Sequence, residues 1–84
     1  MFTVVRYCVQ TFQRKPEGLR PMDVREYKIE KEARQATRVA IRRSSGVALY
    51  SVRGEPIQRL WDRPRLIESF GEILDIDVPA ESSF

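Results

Sequence analysis

The stretch from Ile29 to Arg43 restricts the fold of this chain more than any other feature of its sequence. At about 100° per residue, one arc of a helix formed by this stretch is mainly alanine, and the opposite arc is cationic. The apolar arc consists of Ile29, Ala33, Ala36 and Ala40, and the basic arc consists of Lys31, Arg34, Arg38 and Arg42. Alanine buries little area but lets a helix lie close to a sheet, so larger strand side chains must supply most of the buried surface. We therefore predict an amphipathic helix packed against a sheet, with its basic arc facing water.

The predicted ends of this helix follow from the residues around it. It is expected to begin near Lys28 or Ile29, where no side chain can accept a hydrogen bond from the first free backbone amides. It is expected to end at the segment Ser44-Ser45-Gly46, with Gly46 in the left-handed conformation that commonly follows a helix.

Runs of β-branched and aromatic residues predict two strands before the helix. The first covers residues 3–13, and its alternation predicts a core face made of Val5, Tyr7, Val9 and Thr11. The return strand covers residues 19–27. Because Pro21 cannot donate a ladder hydrogen bond, this strand is expected at a sheet edge and is expected to be regular only from Met22.

Two further strands are predicted after the helix. Residues 46–54 form the third, and residues 65–74 contain the fourth. Residues 55–65 between them are predicted to be a loop that has room for one helical or strand-like turn. The fourth strand has Gly71 as a bulge or an end, and it offers four side chains for burial, Leu66, Ile67, Phe70 and Ile73.

The expected order β-β-α-β-β belongs to the α+β class. It predicts a four-stranded, mainly antiparallel sheet in the spatial order 2-1-3-4, with the helix on one face. Because the chain is too short for two independent cores, residues 1–74 are predicted to be one domain. Residues 75–84 are predicted to be an acidic, frayed tail.

The residue types exclude several kinds of catalysis. Without histidine the chain has no imidazole base, and with Cys8 as its one cysteine it can form neither an internal disulfide nor a cysteine-rich metal site. Its four glycines are isolated, so there is no P-loop or dinucleotide-binding motif. We predict a non-enzymatic protein with no catalytic residues, no cofactor and no metal.

Charge is unevenly distributed along the chain. Residues 1–70 contain 15 basic and 8 acidic groups, a net charge of +7, and 12 of the 15 basic residues are arginine. An arginine-rich body suggests an anionic partner such as nucleic acid. Compositional bias is the alternative explanation of the arginine content.

Two groups of residues are candidates for binding nucleic acid. The first, here called the helix stripe, consists of Lys31, Arg34, Arg38 and Arg42, and the second, the loop cluster, consists of Arg59, Trp61, Arg63 and Arg65. The stripe would contact phosphates without reading sequence, and Trp61 could stack on a base. Alternatively, the stripe is the solvated face of a helix, and Leu60 and Trp61 cover the edge of the sheet.

The remaining expectations concern location and partners. No apolar run is long enough to span a bilayer and the first residues do not have the pattern of a signal peptide, so we expect a cytoplasmic protein without membrane contact. A small core with one covered sheet face favours a homodimer. The primary prediction is a binding or adaptor protein that acts through protein contacts with an unidentified partner. The alternative is a nucleic-acid-binding protein.

Several segments together resemble a family of short bacterial proteins of unknown function. They are Tyr7-Cys8-Val9-Gln10-Thr11-Phe12, the alanine-spaced helix, Gly46-Val47-Ala48-Leu49-Tyr50-Ser51 with Arg53-Gly54-Glu55-Pro56, and Phe70-Gly71-Glu72-Ile73. The resemblance covers roughly residues 5–74 and implies no particular chemistry. The first strand and helix are also similar to half of a peptidoglycan-binding SPOR domain, whose second half is not found here.

Overall fold

The computed structural model describes residues 3–74 of the chain, and this part contains five strands and one helix. The predicted tail, residues 75–84, lies outside this range. The elements are β1 (Val4–Lys15), β2 (Gly18–Tyr27), α1 (Glu30–Ile41), β3 (Gly46–Glu55), β4 (Leu60–Trp61) and β5 (Arg65–Gly71).

All strand pairs are antiparallel, and β1 lies between β2 and β3. Both β4 and β5 pair with the other side of β3, β4 with Gly54 and Glu55 and β5 with residues 46–51. The predicted order 2-1-3-4 is confirmed, with β5 as the predicted fourth strand. The prediction of four strands was wrong by one, because β4 lies in the predicted loop and two residues are too few to show a strand period.

The helix is confirmed, with ends that differ from the prediction. Ile29 precedes the first helical residue in an extended conformation, and no side chain caps the first turn. Gly46 was predicted to be left-handed, but it is the buried first residue of β3. A Cβ atom at Gly46 would overlap the backbone of Glu72, so close packing requires this glycine.

The core lies between the helix and the middle of the sheet. Val9, Ala33, Val47 and Leu49 are buried there, and Ala36 and Ala40 pack against them. The alanine arc therefore faces inward, as predicted. Ile29 was placed in this arc but is 55% exposed, because helical periodicity does not apply to a residue that precedes the helix. Buried Thr37 lies there instead, and its hydroxyl donates to the carbonyl of Ala33 at 2.8 Å.

Strand β2 contains an irregularity close to where Pro21 predicted one. The strand begins earlier than expected, at Gly18, and Pro21 lies opposite Phe12. Between Pro21 and Val24, two residues of β2 face Thr11 alone, which is the geometry of a β-bulge. The Asp23 amide donates to Thr11 Oγ1 at 3.1 Å, so the bulge keeps a hydrogen-bond partner.

The sheet has one face under α1 and one face that α1 does not cover, here called the uncovered face, although Cys8, Phe12 and Ala48 on it are buried among the strand side chains. Alternation from buried Val9 places Tyr7 on the helix side, as predicted, and Cys8, Phe12 and Tyr50 on the uncovered face. Of the β5 side chains expected to be available for burial, Ile67 packs against the core, whereas Leu66 and Phe70 are 46% and 39% exposed. The cause is their position on the outermost strand, since the helix lies over β1 and β3.

Candidate functional site

Arg34 forms ion pairs with two glutamate side chains of the protein. Its Nε and one terminal nitrogen lie 2.8 and 2.7 Å from Glu30 Oε2, and its other terminal nitrogen lies 2.9 Å from Glu68 Oε2. These ion pairs connect α1 to β5. Arg34 therefore contributes less to an anion-binding surface than the sequence pattern suggested.

The other three members of the helix stripe remain open to solvent. Lys31, Arg38 and Arg42 are exposed, and within residues 3–74 their side chains make no hydrogen bond or ion pair. Within residues 3–74, three of the four residues of the helix stripe are thus unpaired cations on the outer side of α1. This arrangement fits both a solvated helix face and a phosphate-binding surface.

Trp61 lies on the uncovered face. Its strand partner is Gly54, and a Cβ atom at Gly54 would overlap the indole ring, so the ring rests on this glycine. By alternation along β3, Gly54 lies on the same face as Tyr50. The ring is still 46% exposed, so Trp61 covers part of the sheet, as one alternative predicted, and also offers an aromatic surface to a partner.

The structure separates the remaining candidates. Arg59 lies in the turn before β4 and has a positive φ of 57°. Arg63 lies in the short connection between β4 and β5. Arg65 pairs with Ser51, on the helix side of the sheet. Trp61 and the helix stripe are therefore on opposite sides, and the eight candidate residues do not form one continuous surface.

Three exposed apolar side chains lie on the uncovered face. Val24 of β2, Leu66 of β5 and Trp61 of β4 each expose about half of their surface. The strand register places Val24 beside Gln10 and Leu66 beside Tyr50, both on this face. Sequence reasoning missed this group, because its members come from three strands and share one face only through the register.

Cys8 and Tyr50, near the centre of the uncovered face, are both uncharged at neutral pH. Cys8 and Tyr50 are cross-strand neighbours. Burial, with a smaller effect of Cys8 and Glu26, raises the pKa of Tyr50 to about 12. Burial and then Glu26 also raise the pKa of the Cys8 thiol, which the Tyr50 hydroxyl partly offsets. A raised pKa and a buried sulfur are typical of a structural cysteine rather than of a nucleophile.

One end of this face carries an exposed ion pair. Arg14 donates to both carboxylate oxygens of Glu72, at 3.0 and 2.7 Å. The hydrogen bonds from Arg14 lower the pKa of Glu72. Arg14 lies on the uncovered face by alternation, so a polar rim borders the apolar side chains.

A groove runs along the opposite side of the sheet, between α1 and the β1–β2 hairpin. This helix groove has a volume of about 440 Å³. Its apolar walls include Val9, Ala36, Val39 and Ala40, and its charged side chains are Asp23, Arg25 and Arg43. No sequence signal identified it, because Arg25 and Arg43 belong to different elements and have no common periodicity.

Among residues 3–74, no cluster of three or more acidic or cysteine side chains could hold a metal ion. In the same range no helix has the length and apolar character needed to cross a membrane. No family model matches the chain, and comparison with curated proteins and solved structures yields no significant similarity. The candidate surfaces are therefore argued from their residues alone.

Proposed function

We propose that this chain is a small non-enzymatic binding or adaptor protein that contacts another protein through the uncovered face of its sheet, and that it forms a homodimer there. The observation that supports this is the group of half-exposed apolar side chains, Val24, Leu66 and Trp61, on a face without a covering helix. Several exposed large apolar side chains on one side of a small domain are typical of an interaction surface. Trp61 is of the residue type most often found at the energetic centre of an interface.

The shape and charge of the molecule suit a dimer of this kind. The protein is flat, with extents of 45, 33 and 16 Å, so its broad side exceeds the roughly 800 Å² per partner of a standard interface. A twofold dimer uses the same patch on both copies, so the patch must be self-complementary. The rim supplies both signs of charge, with Arg6 and Arg14 on this face together with Glu26.

Sedimentation velocity over a range of concentrations tests this proposal. The wild-type protein is expected to sediment as a dimer at high concentration. Leu66→Lys, which places a charge on the exposed patch, is expected to sediment as a monomer. Ile57→Lys is the matched control, because Ile57 is 79% exposed in the turn before β4 and lies outside the patch. A wild-type monomer at every concentration would reject the homodimer.

A second candidate function is nucleic-acid binding through the helix stripe. The supporting observation is that Lys31, Arg38 and Arg42 are exposed and unpaired within residues 3–74. That range also contains 15 basic and 9 acidic groups, a net charge of +6. Affinity for a single-stranded oligonucleotide should then fall steeply with salt and should weaken in Arg38→Gln. Absence of binding at low salt would reject this function.

The proposed location is the cytoplasm. With Cys8 buried and no second cysteine in the chain, stability does not depend on an internal disulfide, which suits a reducing compartment.

A further inference from the structure

The helix groove is a candidate ligand site separate from the uncovered face. We propose that it binds a small amphiphile with an apolar chain and a single carboxylate. Its volume of about 440 Å³ lies within the roughly 300–1,000 Å³ typical of small-molecule sites. The ligand class follows from the apolar walls, the unpaired charges and the interrupted edge of β2.

The walls of the groove favour an apolar chain. Helix α1 packs over β1 and β3, so a strip above the β1–β2 hairpin stays open beside Ala36 and Ala40. Val39 and Met22 border this strip and are 54% and 48% exposed. An apolar chain in the groove would remove these exposed side chains from water, which favours binding.

The charged side chains of the groove favour one negative charge on the ligand. Arg25 and Arg43 line the groove, and neither guanidinium has a hydrogen bond or ion pair within residues 3–74. Asp23 also lines it, and its carboxylate has no such partner in that range either. Two cations and one anion leave a local charge of +1, which matches a monocarboxylate better than a dianion.

The edge of β2 favours a small ligand over an added peptide strand. Pro21 and the neighbouring bulge interrupt the edge. Pro21 has no amide to donate, and the bulge redirects the backbone groups beside it. A continuous new ladder of backbone hydrogen bonds along this edge would therefore be broken at residues 21–23.

The two arginines are expected to contribute unequally. Arg43 follows the C-terminal end of α1, where the helix dipole carries partial negative charge that opposes an anion. Arg25 lies on β2 opposite Val9, away from that end. A carboxylate should therefore be held mainly by Arg25, and Asp23 should weaken its binding.

Calorimetric titration with dodecanoate, kept below its micellar concentration, tests the site. Saturable binding of one dodecanoate per chain is expected, with dodecanol weaker by about tenfold, since one charge-assisted hydrogen-bond contact is lost. Arg25→Gln should weaken dodecanoate binding by a similar factor and Asp23→Asn should strengthen it roughly threefold. Arg38→Gln is the matched control, because it removes the same charge from a position outside the groove. It should leave the affinity for dodecanoate unchanged.

Amide chemical shifts in labelled protein locate the bound ligand. Perturbations are expected at Arg25, Ala36 and Val39, and not at Leu66 or Trp61. Val39→Glu, which places a like charge at an exposed position of the groove, should abolish binding while the fold is retained. No saturable binding, equal affinity for dodecanol, equal effects of Arg25→Gln and Arg38→Gln, or shifts centred on the uncovered face would each overturn the proposal.

Discussion

The side chains pack differently on the two faces of the sheet. Under the helix, Ala33 packs with Val47 and Leu49, and the small side chains of Ala33 and Thr37 are both buried. On the uncovered face Phe12 is buried at one end, whereas Trp61 and Leu66 are left half exposed elsewhere. The comparison shows that small helix side chains allow close packing on the covered face, whereas Trp61 and Leu66 stay available on the face proposed for a partner. The substitutions below separate these two roles.

The largest effect is expected in the middle of the covered face. Leu49→Ala should lower the free energy of unfolding by about 3 kcal/mol, because it removes a fully buried side chain and leaves a cavity. Leu66→Ala on the uncovered face should cost less than about 1 kcal/mol in the monomer. Urea denaturation at low protein concentration measures both values. Equal losses would show that the two leucines do not differ in role.

The next effect concerns the close approach of the helix. Ala33→Leu should destabilise the fold by about 2 kcal/mol, because the added volume overpacks a site with no exposed surface. Gln35→Leu, at an exposed position of the same helix, is the control and should be nearly neutral. A stable Ala33→Leu protein would contradict the sealed packing between α1 and the sheet.

A smaller effect is expected where Trp61 rests on the sheet. Gly54→Ala should displace the indole ring, shift its fluorescence emission to longer wavelength and cost about 1.5 kcal/mol, because the new methyl group overlaps both the ring and the backbone carbonyl of Leu60. Ile57→Ala, in the turn before β4, should leave the emission unchanged. An unchanged emission in Gly54→Ala would mean that Trp61 does not lie on Gly54.

The smallest effect on stability is expected from the ionisation of Tyr50 at alkaline pH. Since the pKa of Tyr50 is raised to about 12 in the fold from 10.0, its contribution to stability is fully present below pH 10 and is lost as the pH rises towards 12. Ultraviolet absorbance should show a late tyrosinate component that disappears in Tyr50→Phe. If the late component is still present in Tyr50→Phe, the Tyr50 hydroxyl is not buried beside Cys8.

The sequence predicts the covered face well and the uncovered face poorly. The period of Ala33, Ala36 and Ala40 and the alternation in β1 are local patterns, so the helix, its buried side and the sheet order could be derived. Ile29 and Gly46 were misplaced because they lie at element boundaries, where neither period applies. The stretch containing Leu60 and Trp61 was too short to predict as a strand.

The candidate sites depend on contacts that no local pattern encodes. The pairing of Arg34 with Glu30 could be predicted from its i,i+4 spacing, but its pairing with Glu68 depends on how β5 is placed. Likewise, Val24, Leu66 and Trp61 are placed on the same face only by the register of three strands. The helix groove requires the gap between α1 and β2, which is a property of packing.

The emission of Trp61 as a function of protein concentration tests the proposed interface most directly, because it is the one tryptophan of the chain and lies on the uncovered face. On dilution from the highest soluble concentration, the emission maximum of the wild-type protein should move to longer wavelength as the dimer dissociates, while that of Leu66→Lys should be constant throughout. A wild-type emission maximum that does not change over the whole range would contradict the account.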